Sequence, residues 1–274
     1  MIPSKLATKA PRCLLVSFWG KAKTTKKVMK PYVTWYENKG YEVTQKQSTP
    51  RDLFRGLFLR NAAPSTQFDV VHTMSGGSFV VGNYILGRFN FFLALTAAIE
   101  FVLTFHLLYR PLSIIVIWII PKSTRLSPHP RSPSAGGMPS PRRMILEGGP
   151  MLGTHEEGYN FLSSVGIKNN FIQKLLINYV GHAARFMSEG GTSTSTTEAR
   201  TATALTSGEK TLVLNGDDDD IIDRACISNM IMNAPENKRV SITEVNVPGD
   251  ARHNRIFNEH FESWEAAVKP FVAM

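Results

Sequence analysis

Cysteine is almost absent from this sequence, with only Cys13 and Cys226 in 274 residues. Neither lies in a C-x-x-C or histidine-paired spacing, which excludes a disulfide framework or a cysteine zinc site and points to a reducing compartment. The N-terminal segment M-I-P-S-K-L-A-T-K-A-P-R carries charge but no apolar core of signal-peptide length, so the chain is not expected to be secreted and its bulk is placed on the cytosolic side. Acidic side chains are scarce in the first segment, where Lys5, Lys9, Arg12, Lys21, Lys23, Lys26, Lys27 and Lys30 crowd together, and the net charge of +9 is correspondingly uneven. A solvated basic face is the plainest reading. An anionic membrane surface comes next, since each nearby Lys or Arg gains about 1 kcal/mol there. Nucleic acid is not expected, because aromatic residues are not interleaved with the charges in the manner of single-strand readers. Internal repeats are missing too, and with 43% hydrophobic residues there is ample material for one large domain.

What is present reads as alternating strands and helices. Cys13 to Trp19 is a continuous apolar run of strand length, which suits a central strand buried on both faces and ends at Gly20. From Lys26 to Lys39 the residues Val28, Met29, Tyr32, Val33 and Tyr36 fall at helical spacing, and Gly40 stands where a helix C-terminal glycine belongs. Tyr41 to Thr44 and Phe68 to Thr73 read as strands, and Ser78 to Leu86 as the start of a helix. After the middle of the chain, strands are expected at Met144 to Leu146, Thr211 to Leu214 and Val240 to Val247. Helices are expected at Phe171 to Met187, Asp223 to Asn233 and Glu259 to Val272. Such alternation implies a mostly parallel sheet covered by helices on both faces.

The most informative stretch is D-V-V-H-T-M-S-G-G-S-F from Asp69, where a β-branched run ends abruptly in Ser75 followed by two glycines. A serine at a sharp turn from strand to helix is how α/β-hydrolases expose a nucleophile. Gly76 and Gly77 leave room for the turn, and the N–H of Gly76 is placed by the motif as an oxyanion donor. Thr73 replaces the usual glycine two residues before the serine, so the match to G-x-S-x-G is partial. Ser78 should already lie in the helix, which makes it the weaker nucleophile. An orienting acid should follow a late strand, and Asp219 within N-G-D-D-D-D-I-I does so, with Asp218 in reserve. No EF-hand spacing accompanies these acids, so calcium is not expected. A base should come last, between the final strand and the final helix. His253 lies there, whereas His260 falls inside the expected closing helix, where a surface role is expected. The order Ser75, Asp219, His253 is that of nucleophile, acid and base in α/β-hydrolases.

Three segments do not fit a compact core. Phe91 to Tyr109 is apolar apart from Glu100 and His106, and Leu112 to Ile120 continues it after Arg110-Pro111. Three readings of residues 88–120 stay open: a membrane-inserted hairpin or span, for which about 20 apolar residues suffice; a lid or pair of core helices; and foreign sequence from a mis-spliced gene. Residues 121–143 are rich in Pro, Ser, Gly and Arg and read as a flexible basic linker. Residues 190–208 read as an exposed Ser/Thr-rich loop. The domain organisation expected is a basic tail over residues 1–12 and an α/β-hydrolase-like domain over residues 13–87 and 144–274.

Four stretches carry a resemblance: W-G-K-A at Trp19 to Ala22 with K-G-Y at Lys39 to Tyr41, H-T-M-S-G-G at His72 to Gly77, I-L-E-G-G-P at Ile145 to Pro150, and N-G-D-D-D-D-I-I with R-H-N-R near the end. Together they resemble the transmembrane protein 53 family, also known as a domain of unknown function with an α/β-hydrolase fold, over most of the chain outside residues 88–143. The resemblance implies Ser75, Asp219 and His253 as triad positions, Trp19 on the oxyanion-side turn, and a nuclear-envelope or endoplasmic-reticulum location. The chain departs from the family's pattern at Phe18, where a glycine is usual, at Glu147 and Gly148, which replace an Asp-Ser pair, and in retaining one histidine of a paired region. The reading as a whole is an esterase-like or lipase-like serine hydrolase acting on a small acyl or ester substrate, with no cofactor or metal, and with membrane lipid as a partner. The alternative is a non-catalytic membrane-associated scaffold or signalling protein built on the same fold.

Overall fold

The structure is a computed structural model that describes residues 10–18, 22–48, 66–86, 138–149, 159, 163, 168–175, 177, 205–217, 219, 221–222, 224–248, 253 and 255–273. The apolar run of residues 88–120 lies outside them. Among the described residues no helix is long and apolar enough to cross a membrane.

Six strands form one sheet: β1 (Arg12–Phe18), β2 (Glu42–Ser48), β3 (Val70–Met74), β4 (Arg143–Glu147), β5 (Lys210–Gly216) and β6 (Ile242–Val247). Their spatial order is β2-β1-β3-β4-β5-β6, and every neighbouring pair is parallel. The central strands are buried and mostly apolar because both faces are covered, with His72, Thr73 and Glu147 as buried polar exceptions. Cys13, Leu15, Ile145, Leu212 and Leu214 pack with Tyr32, Trp35 and Tyr36 of helix α1 (Ala22–Asn38) and with Trp264, Val268 and Val272 of a closing helix. Their alternate neighbours Leu14, Val16, Val71, Met144, Leu146 and Val213 pack with Val80 and Val81 of α2 (Gly77–Leu86) and with Ile227 and Met230 of α3 (Arg224–Asn233). Each such side chain contributes about 1.5–3 kcal/mol when taken out of water. This two-sided burial is why β1 reads as a nearly continuous apolar run instead of an alternating one.

The edge strand behaves differently. β2 runs through Glu42–Ser48, well past the Thr44 at which its apolar signal ends, because among the described residues it is hydrogen-bonded to β1 alone, and Glu42, Thr44 and Gln45 are exposed there. Helix α1 begins at Ala22 and closes with a Schellman arrangement: Gly40, at φ 84°, donates its N–H to Glu37 O at 2.9 Å, and Tyr41 donates to Tyr36 O at 3.1 Å.

Four sequence expectations are corrected. Arg12 belongs to β1 instead of a tail, and its N–H donates to Asp69 Oδ2 at 2.9 Å. The last part of the expected linker is packed, since Met138 is buried in the core beside Leu205 and β4 starts at Arg143. The Ser/Thr-rich run is not an exposed loop at its end: Leu205 and Thr206 have no exposed surface, and a Cβ on Gly208 would meet Pro141 O at 3.1 Å. The closing helix is broken. After the short α4 (Glu236–Arg239), α5 spans Ile256–Glu259 and α6 spans Phe261–Val272, with the half-buried His260 between them. Ile256, Phe257 and Trp264 are all buried in the core.

At Gly40 a Cβ would meet nothing within 4 Å, so substitution there tests backbone strain alone. Gly40→Ala is expected to destabilise the protein by about 1–2 kcal/mol in urea denaturation, and Gly40→Asn by less; equal stability of the alanine variant would show that the left-handed conformation carries no cost.

Candidate active site

The chain leaves β3 through Ser75, whose φ of 51° lies in the left-handed region that a side chain rarely adopts. Two bonds hold it there. The Ser75 N–H donates to Glu147 O at 2.8 Å, extending the ladder between β3 and β4 by one residue, and Ser75 O accepts the Ser78 N–H at 3.0 Å as α2 begins. The Ser78 hydroxyl also donates to Ser75 O, at 2.9 Å. Ser78 is thus part of the turn that presents Ser75, as its expected place in the helix implied.

The glycine requirement at the turn falls on Gly77. A Cβ there would stand 2.5 Å from Val16 O, so α2 can approach β1 only without a side chain at this position. Two residues before the serine, where the motif usually has glycine, Thr73 is still within β3; it is buried and its hydroxyl donates to Ile145 O at 3.2 Å. A threonine fits because the strand continues past it.

Asp219 follows β5. Its Oδ1 accepts the N–H groups of Ile221 and Ile222, each at 2.9 Å, which fixes the carboxylate by the local turn. His253 lies between β6 and α5. Its Nδ1 is 2.9 Å from Asp219 Oδ1 and 2.8 Å from Oδ2, and its Nε2 is 2.7 Å from Ser75 Oγ. With the imidazole proton on Nδ1, held by the carboxylate, Nε2 is left to accept the serine hydroxyl. Serine, histidine and aspartate thus come together at the carboxyl ends of β3, β5 and β6. Gly76 follows the serine in the same turn and is buried. Trp19 and Asp218 lie outside the described residues.

The site is largely shielded, with side-chain exposures of 10% for His253 and 3% for Asp219. Burial by itself pushes the Asp219 carboxyl up, but the His253 hydrogen bond and charge and the Ile222 and Ile221 N–H groups outweigh it, leaving the group below its ordinary value of 3.8.

Beneath the serine lies a second polar cluster that sequence reasoning did not single out. Glu147 Oε1 accepts the Tyr32 hydroxyl at 2.5 Å, and Oε2 accepts Trp264 Nε1–H at 2.8 Å. His72 Nε2 is 3.0 Å from Oε2, and its Nδ1 is 3.0 Å from the Tyr36 hydroxyl. With the His72 proton on Nε2, a donor chain runs from Tyr36 through His72 to Glu147. Burial first, and then the Glu147 carboxylate, push the Tyr32 phenol far up, so it stays a donor; burial likewise raises Tyr36. The signal available in sequence was an acid at the end of an otherwise apolar strand and a histidine inside another.

No family model matches this chain and no curated protein matches it by sequence. Among solved structures it is similar to Est1E from Butyrivibrio proteoclasticus, at 13% identity over 96% of this chain and 87% of that one, with a TM-score of 0.50. It is also similar to the Pyrococcus furiosus esterase Pf2001, at 11% identity over 97% of this chain and 85% of that one, with a TM-score of 0.49. At such identities the likeness bears on fold alone. The all-parallel sheet covered on both faces and the Est1E likeness give the chain an α/β-hydrolase-like fold.

Because the folded-state value of Asp219 is depressed, the folded protein binds this proton more weakly than the unfolded chain, and stability rises with pH across the interval between the two values. The Asp219 contribution is therefore full above its ordinary value of 3.8 and lost as pH falls through the lower folded value. In urea titrations at a series of pH values, the stability gap between wild type and Asp219→Asn should close as pH drops below 3.8; a gap that stays constant would contradict the depressed value.

Proposed function

We propose that this chain is a serine hydrolase of the esterase or lipase kind, and that Ser75, His253 and Asp219 are its catalytic residues. The single observation that carries the proposal is the placement of His253 within hydrogen-bond distance of Ser75 on one side and Asp219 on the other. In this reading Ser75 Oγ attacks the carbonyl carbon of an ester while His253 Nε2 takes the hydroxyl proton. Asp219 keeps the imidazole in the tautomer that can do so and offsets the charge it acquires. The oxyanion is held by the N–H of Gly76 and by a donor near Trp19. Collapse expels the alcohol, which leaves with the proton from His253. Water, deprotonated by the same imidazole, then releases the acid from the acyl-serine. The close contact between base and nucleophile favours this over a non-catalytic scaffold, since a scaffold has no need of a histidine bridging serine and carboxylate.

The narrower assignment, to the transmembrane protein 53 type, is supported by the four stretches at Trp19 to Ala22 with Lys39 to Tyr41, His72 to Gly77, Ile145 to Pro150, and Asn215 to Ile222 with Arg252 to Arg255. A lipophilic substrate and a membrane-lipid partner at the nuclear envelope or endoplasmic reticulum accompany it. The basic side chains Lys26, Lys27 and Lys30 are exposed on α1, available to an anionic surface at about 1 kcal/mol each.

A serine-directed fluorophosphonate should label the folded wild-type protein and fail to label Ser75→Ala. Asp219→Asn should lower kcat for a chromogenic ester by about 10⁴-fold. Labelling that persists in Ser75→Ala, or its absence from folded wild type, would remove Ser75 as the nucleophile. For the lipid partner, the full chain is expected to co-sediment with phosphatidylserine vesicles at low salt and to stay in solution with phosphatidylcholine alone; equal recovery with both would count against an electrostatic contact.

A further inference from the structure

Glu147 and His72 are ionisable side chains with no exposed surface, and the chemistry proposed above does not use them. A core does not need such a pair. Apolar residues of similar volume commonly replace a buried ionic pair at no loss of stability, because they desolvate no charge. What the pair supplies is therefore sought in geometry.

Four elements meet at the one carboxylate: Tyr32 from α1, His72 from β3, Glu147 itself at the end of β4, and Trp264 from α6. Both of its oxygens are engaged, and the contacts are hydrogen bonds of defined direction, unlike the sliding contacts of an apolar core. The same residue reaches the nucleophile through its main chain, since Glu147 O accepts the Ser75 N–H at 2.8 Å. His72 stands on the strand that ends in the serine. On the other side, Trp264 belongs to the helical segment that follows His253 through α5. It is locked in place by Phe257 at 4.6 Å between ring centroids and by Tyr32 at 5.6 Å. The position of the serine and the anchorage of the histidine segment are thus both referenced to one side chain.

The geometry points to Glu147, together with His72 and Tyr32, as a positioning unit that sets the separation between Ser75 Oγ and His253 Nε2. It acts through the main chain of the nucleophile turn and through the helix after the base, without touching substrate. For its kinetic consequences it rests on the hydrolase reading given above.

The test uses the full chain. Glu147→Gln keeps the volume and can still accept from Trp264 and His72, but it loses the carboxylate oxygen that receives the Tyr32 hydroxyl. For a chromogenic ester, kcat is expected to fall about 100-fold with KM within about twofold of wild type. Independently of turnover, the downfield proton resonance of His253 Nδ1–H, shared with Asp219, should shift or broaden in the variant. Tyr32→Phe keeps the aromatic ring and removes only the donor to Oε1, and it should lower kcat about 10-fold with the same resonance displaced. Met230→Ala, in the core on the opposite face, should lower Tm without changing either readout. The positioning role is overturned if a folded Glu147→Gln retains wild-type kcat and an unmoved His253 resonance. It is equally overturned if Met230→Ala reproduces the loss of kcat, or if neither Glu147→Gln nor Tyr32→Phe folds, which would make the cluster a matter of stability alone. A wild-type chain that turns over no ester, yet shows the resonance displaced in Glu147→Gln, would sink the hydrolase reading and leave the positioning role intact.

Discussion

Between the end of β3 and the start of α2 the backbone must reverse its hand within a single residue, and that residue carries a side chain. The left-handed conformation at Ser75 costs about 1–2 kcal/mol for an ordinary side chain, so the surroundings have to over-determine it. They do so with the Glu147 carbonyl on one side and the first turn of α2 on the other. The absence of a side chain at Gly77 is what lets that first turn settle against Val16 O. Relaxing the turn to ordinary helical or extended geometry would redirect the hydroxyl away from His253. β3 lies between β1 and β4 and receives support from both.

The parallel sheet determines how the remaining groups reach the serine. With all six strands pointing one way, the loops after β3, β5 and β6 emerge on a common edge, and side chains far apart in sequence become neighbours. Asp219 is pinned by the two isoleucine N–H groups of its own turn, so its orientation is local. The position of His253 depends on Asp219, on Ser75 and on how the following helices seat themselves on the sheet, which is where the aromatic cluster of Tyr32, Phe257 and Trp264 enters.

Much of this was legible in the sequence where a short-range rule applied. β1 announced itself by a run of apolar residues that a strand buried on both faces requires, and Gly40 by its place after the α1 periodicity. Ser75, Asp219 and His253 could be nominated from chain order because the three side chains each sit just after a strand. What escaped were features whose cause lies in partners distant along the chain. The polar half of β2 gave no apolar signal because edge strands do not need one. Glu147 looks like an ordinary strand terminus until Tyr32, His72 and Trp264 arrive from elsewhere. The break at His260 leaves no signal in the apolar pattern, because Phe257, Trp264 and Val268 keep the spacing of one helical face across it. Leu205 and Thr206 close a low-complexity run yet fill a space left under β5.

The contact between Ser75 and His253 spans 178 positions of sequence, and its supports are equally dispersed. As the chain emerges from the ribosome, the elbow is made long before the strand that steadies it and longer still before the imidazole that would activate it. On the proposed chemistry, a polypeptide that lacks His253 would hold an ordinary alcohol at Ser75. The contact between hydroxyl and imidazole is thus deferred until the segment that carries His253 has joined the sheet.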